Sequence, residues 1–195
     1  AEYQGLKFFG SQIELKTALV ISQIIGYALS KYIGVKVCSE VPASRRAVML
    51  IGLILCAQVA LLLLAVVPGE WKCVAIFLNG LPLGMVWGLV VCYLEGRRTS
   101  ELLLAGLSCS FIVSSGMVKD FGRWLMGDWG VSEAWMPALT GLCFLPPFLL
   151  AVWLLNQLPK PNAADEQARS ARSPMDDSAR VNSTRKFFWG VLLLF

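Results

Sequence analysis

The chain has 195 residues and a formal net charge of +4, with 56% hydrophobic and only 15% charged residues. Its 17 glycines raise the apolar share to about 65%, against roughly 45–50% in soluble domains, and the mean hydropathy is +0.64. A soluble fold of this size has too little polar surface to cover that content, and the lack of histidine removes histidine bases, serine–histidine and cysteine–histidine nucleophile pairs and ordinary zinc sites. The composition points to an integral membrane protein. It points away from a soluble enzyme, a nucleic-acid binder and a disulfide-stapled secreted domain.

Residues 1–14 form a short segment that opens Ala1-Glu2-Tyr3, with neither an initiator methionine nor a signal-peptide pattern. Five apolar runs follow, Leu15–Val37, Ala47–Val67, Cys73–Leu94, Leu102–Val118 (carrying on as helix to about Met126) and Met136–Leu155. Each is close to the ~20 residues a helix needs to cross a bilayer. Lipid cannot satisfy open backbone groups, and the runs lack the alternation of a barrel strand, so the expected fold is an all-α transmembrane bundle. Pro146-Pro147 predicts a kink in the fifth span. Residues 156–186, rich in proline, serine and charge, read as a polar linker. Phe187–Phe195 is apolar but too short to cross, which predicts the start of a further span and a second half of the protein beyond it.

Basic residues set the orientation. Lys36, Arg45 and Arg46, then Arg97 and Arg98, then Lys160, Arg169, Arg172, Arg180, Arg185 and Lys186 fall on one side. Lys7, Lys16, Lys72, Lys119 and Arg123 fall on the other. By the positive-inside rule the first group is cytoplasmic, which places residues 1–14 outside, and Trp124, Trp129 and Trp135 mark the outer boundary as an aromatic belt.

Small residues recur every four positions on three spans: Ser22, Gly26, Ser30 and Gly34; Gly80, Gly84 and Gly88; and Gly106, Ser110 and Ser114. Such rows let membrane helices approach closely, so all three read as packing seams. Charge inside a span is costly and marks function by default. Lys119, with Ser115 four residues before it and Arg123 four after, forms a stripe suited to an anionic solute. Both cations are equally suited to snorkelling at the outer interface. Gln23, Gln58 and Asn79 lie deep in apolar runs, where they either line a pathway or hydrogen-bond a neighbouring helix. Lys31 lies toward the cytoplasmic end of the first span. No aspartate or glutamate is expected inside a complete span; Glu14, Glu40, Glu95 and Glu101 sit at the edges, so no carboxylate relay is visible. The six cysteines are scattered without a paired motif and read as packing residues, with no metal site and no cofactor expected.

Gly26-Tyr27-Ala28-Leu29-Ser30-Lys31-Tyr32-Ile33-Gly34-Val35-Lys36, followed by Ser39-Glu40 and Ser44-Arg45-Arg46, resembles the loop between the second and third helices of major facilitator transporters. The Ser30-Lys31-Tyr32 opening is most like the organophosphate-antiporter branch. Asn79–Gly88 and Glu95-Gly96-Arg97-Arg98 add to the likeness. The stretch from Gly5 to Leu158 also looks like an uncharacterised bacterial family of multi-pass membrane proteins grouped with that superfamily. The superfamily's aspartate–arginine core stands here as Ser39-Glu40 with the arginines later.

The resemblance implies the N-terminal half of a transporter, helices two to six of twelve plus the start of seven, in a bacterial inner membrane and working by alternating access on a small solute. It also implies a cytoplasmic charge network of Lys31, Glu40, Arg45, Arg46, Glu95, Arg97 and Arg98 that holds one state closed. The competing reading of those arginines is topological anchoring. The rival for the whole chain is a transporter-shaped scaffold, assembly factor or sensor that moves nothing. A membrane-embedded enzyme comes third.

Overall fold

A computed structural model describes residues 15–94, 97, 99–158 and 165. Two compact units divide the chain, 1–95 with 99–160 and 96–98 with 161–195; of the second, only Arg97 and Asp165 are described. The described part of the first unit is all-α. It comprises α1 (Leu15–Glu40), α2 (Arg46–Val66), α3 (Lys72–Leu94), α4 (Ser100–Gly127) and α5 (Met136–Asn156), with single 3-10 turns leading into α2 and α3. The expected linker beyond Leu158 and the apolar run from Phe187 lie outside the described residues, Asp165 excepted.

Four helices, α2 to α5, are long and apolar enough to cross a membrane. At 26 residues α1 also has the length, about 39 Å, but Lys16, Gln23, Tyr27, Lys31 and Tyr32 dilute its apolar character and it is not among those four. Gly69 (φ 55°) and Gly130 (φ 64°) turn the chain between α2 and α3 and between α4 and α5, in a left-handed conformation that a Cβ disfavours. Pro82 in α3 and Pro146-Pro147 in α5 interrupt neither helix, although each proline removes one backbone donor.

Two helices that run in the same direction, α1 and α3, hold the bundle together. Because a side chain gains little by leaving lipid for another helix, close backbone approach has to supply the attraction. Glycine makes that approach possible here. A Cβ on Gly26 would sit 2.5 Å from the Phe77 carbonyl oxygen, and one on Gly80 2.7 Å from the Gln23 oxygen and 3.0 Å from the Tyr27 nitrogen. One turn further on, a Cβ on Gly84 would collide with Ser30, whose Oγ donates to the Leu81 carbonyl across the seam. Met85 packs over Gly34. Gly88 continues the α3 row, half-buried.

Helix α2 closes on α3 and α5 through Leu50, Leu89 and Val152, with Val86, Val90 and Phe148 around them. Helix α4 is attached differently. It meets α5 near the Gly130 turn, where Gly122 admits Met136, Leu125 is buried and Phe121 lies edge-on to Phe144 at 5.3 Å. Trp87 of α3 touches Phe111 at 6.0 Å. Every residue from 108 to 120 is nonetheless exposed.

The third small-residue row is therefore corrected. Gly106 has no neighbouring atom within 4 Å, and the Ser110 and Ser114 hydroxyls donate to Leu107 and Phe111 on their own helix. With its hydroxyls satisfied in this way, the row needs no partner helix to be stable in lipid.

The seam makes a direct prediction. Gly80→Ala drives a methyl into fixed backbone and is expected to lower unfolding stability in mixed micelles by about 1–3 kcal/mol. Gly106→Ala meets open space and leaves stability unchanged or slightly raised. Equal effects at the two positions would mean that α1 and α3 do not pack as described.

Candidate functional site

The three deep amides occupy the interior of the bundle. Gln23 Nε2 of α1 donates to Asn79 Oδ1 of α3 at 3.3 Å, and Asn79 Nδ2 donates to the Ala57 carbonyl of α2 at 3.0 Å. Gln58, one residue on, turns to the other side of α2 and donates to the Ala138 carbonyl of α5 at 2.8 Å. Asn79 and Gln58 are buried. Together the amides tie α1, α3, α2 and α5 across the middle of the bundle. Removing one partner would leave a polar group unsatisfied where water does not reach.

Gln58 depends on a residue that the spacing of small residues did not single out. Gly141 faces it so closely that an added Cβ would overlap the Gln58 carboxamide oxygen. A glycine opposite a buried amide on another helix leaves no periodic signature, because the two are 83 positions apart in the chain.

At the basic end, Arg46 at the start of α2 donates through Nη1 to the Cys92 carbonyl in the last turn of α3, at 2.8 Å. Its guanidinium carbon lies 5.9 Å from the centre of the Tyr93 ring. A cation placed on the unpaired carbonyls at a helix C-terminus meets the negative end of the helix dipole. Arg46 thus clamps α2 to α3. Arg45 beside it is exposed, and Lys31 lies over the Tyr27 ring of its own helix at 4.9 Å. Arg97 occupies a bend between α3 and α4. The Glu40 side chain and residues Glu95 and Arg98 lie outside the described residues, and with them both acidic members of the expected charge network.

The remaining candidates, Ser115, Lys119 and Arg123, belong to α4 and are exposed. Here the helix runs past the first charge to Gly127, which brings Asp120 inside it and corrects the expectation that no carboxylate lies within a span. Arg123 Nη1 donates to Asp120 Oδ1 at 3.2 Å. Lys119 makes no ion pair among the described residues.

Glu101, Ser108 and Ser115 recur every seven residues, and Lys119 and Arg123 follow at steps of four. On a 3.6-residue helix they share an arc of about 80° that extends about 33 Å along the axis, with Ile112 between them. That length covers the hydrocarbon core of roughly 30 Å. The hydroxyls of Ser108 and Ser115 donate to Leu104 and Ile112 of the same helix, so their oxygens face outward as acceptors. Above the stripe, Trp124 and Trp129 lie 5.6 Å apart, and both are exposed together with Trp135.

Fold and site together define an α-helical bundle with four helices of membrane-crossing length and apolarity, one of which carries a polar stripe along its exposed face. The chain belongs to the family of unknown function DUF5690, which matches residues 1–195. No curated protein and no solved structure matches it.

The interior amides and Gly141 generate the prediction for this site. Gly141→Ala is expected to cost about 1–3 kcal/mol by displacing Gln58. The same change made on Gln58→Ala is expected to cost close to nothing, because the obstructed group is gone. A double-mutant cycle read by unfolding should therefore show strong coupling. Additive losses would separate Gly141 from Gln58.

Proposed function

We propose that this chain is the N-terminal bundle of a secondary transporter of the major facilitator type, which moves a small anionic solute by alternating access. In this reading the protein resides in a bacterial inner membrane, its partners are the lipid bilayer, the solute and the second half of the same protein, and it performs no chemistry on its cargo. One observation supports the reading most. The polar stripe from Glu101 through Ser108, Ser115 and Lys119 to Arg123 is exposed along about 33 Å of α4. Snorkelling accounts for the cations within reach of the headgroups, and between them and Glu101 the stripe continues in Ser108 and Ser115, interrupted by Ile112. A transport pathway between two bundles would meet that face with water and with a partner surface.

Cationic groups outnumber carboxylates on the stripe, which favours an anion, and Lys119 is the group placed to hold it. The rigid α1–α3 pair, the amide ties and the Arg46 clamp would let the bundle move as one body against its partner. The same features suit the rival reading, a membrane scaffold whose α4 face docks another protein. Solute movement separates the two.

In proteoliposomes of the full-length protein, uptake of organic anions is expected, and Lys119→Ala should reduce it by at least about tenfold, the loss of an interaction worth roughly 1.4 kcal/mol. The variant should retain the wild-type unfolding midpoint, because Lys119 is exposed. Undiminished uptake would remove Lys119 from the pathway. Absence of uptake across a panel of phosphorylated and carboxylated metabolites would favour the scaffold.

A further inference from the structure

Asp120 is a charged group within the outer part of α4 that the transport reading leaves without a task. It follows Lys119 directly in the chain, and its Oδ1 accepts from Arg123 Nη1 at 3.2 Å. Lys119, Asp120 and Arg123 lie within a turn and a half of one helix, all exposed, and no other described charged side chain shares that stretch. The cluster therefore carries two positive charges and one negative. Its net charge is a single positive one.

Arg123 engages Asp120 through one nitrogen, and a guanidinium has five N–H donors in a planar fork. The donors left over, with the ammonium of Lys119 four residues back on the same stripe, are enough to hold one carboxylate. The Ser115 hydroxyl adds none, because its hydrogen is committed to the Ile112 carbonyl. A ligand with a second negative charge would face the Asp120 carboxylate with no third cation on that stretch of α4 to offset it.

We propose that Asp120 is a specificity-determining residue: by fixing the net charge of the Lys119–Arg123 cluster at one, it makes the cluster select monoanionic carboxylates over dianionic phosphate esters. This rests on the reading of Lys119 as a solute contact. It goes beyond that reading by naming the cargo's charge and the residue that sets it.

The test uses two ligands that share a ring and differ in charge. Benzoate carries one negative charge, and phenyl phosphate carries two at about pH 8, where its second proton is lost. Binding of each to the full-length protein in lipid nanodiscs is measured by calorimetry for wild type, Asp120→Asn, Asp120→Glu and Lys119→Gln. Wild type is expected to bind benzoate more tightly. Asp120→Asn should shift the affinity ratio toward phenyl phosphate by about tenfold, equivalent to roughly 1.4 kcal/mol, and Asp120→Glu should keep the wild-type ratio. A merely structural Asp120 would lower both affinities together and leave their ratio alone.

An unchanged ratio in Asp120→Asn, with Lys119→Gln weakening both ligands, overturns the charge-selection proposal and leaves Lys119 in the site. Failure of wild type to bind either anion, or equal binding by Lys119→Gln, overturns the solute-contact reading and the selection proposal together.

Discussion

In lipid, helices of this composition have no hydrophobic reason to leave the bilayer for one another, so their association depends on how closely two backbones can approach. The contact between α1 and α3 meets that constraint. Gly26 lies against the Phe77 carbonyl and Gly80 against Gln23, each glycine leaving room for the other helix's backbone. The remaining features depend on this pair. Asn79 accepts from Gln23 because α3 sits so near α1, and its amide nitrogen donates to the Ala57 carbonyl of α2. Helix α2 in turn carries Gln58 to α5 and Arg46 to the end of α3.

Helix α4 is the exception that gives the bundle its functional reading. It packs on α5 at one end through Gly122, Leu125 and the aromatic groups around Phe121, touches α3 through Phe111 and Trp87, and is exposed from Ser108 to Asp120. Its apolar sides suit lipid. The charges at the two ends of its stripe are cheapest to keep where water or another polar surface meets them. A helix with one long face left open suits the proposed pathway between two bundles.

The all-α class and the long apolar helices were legible in the sequence because lipid imposes a simple rule, an uninterrupted apolar run of about 20 residues per crossing. The environment of each face was less legible. Gly26, Gly80 and Gly106 stand in rows of identical spacing, yet two of these rows face each other and the third faces no described helix. Spacing reports that a surface permits close approach, and only the partner's shape decides whether approach occurs. Asp120 was hidden for another reason. The apolar run stops before it at Val118, so a search for carboxylates among apolar residues passes it over, although the helix expected to about Met126, and reaching Gly127, contains it. Gly141 was hidden because its meaning depends wholly on Gln58, on a different helix.

The central claim, that the α4 stripe meets water while its opposite side meets lipid, can be measured directly by a spin-label scan of residues 105–123 in bilayers. Collision rates with a water-soluble nickel chelate and with lipid-soluble oxygen are recorded at each position. The account predicts opposed helical periodicities, with the chelate highest at Ser108, Ser115 and Lys119 and oxygen highest at Val113 and Met117. High oxygen and low chelate collision around the entire helix would contradict it.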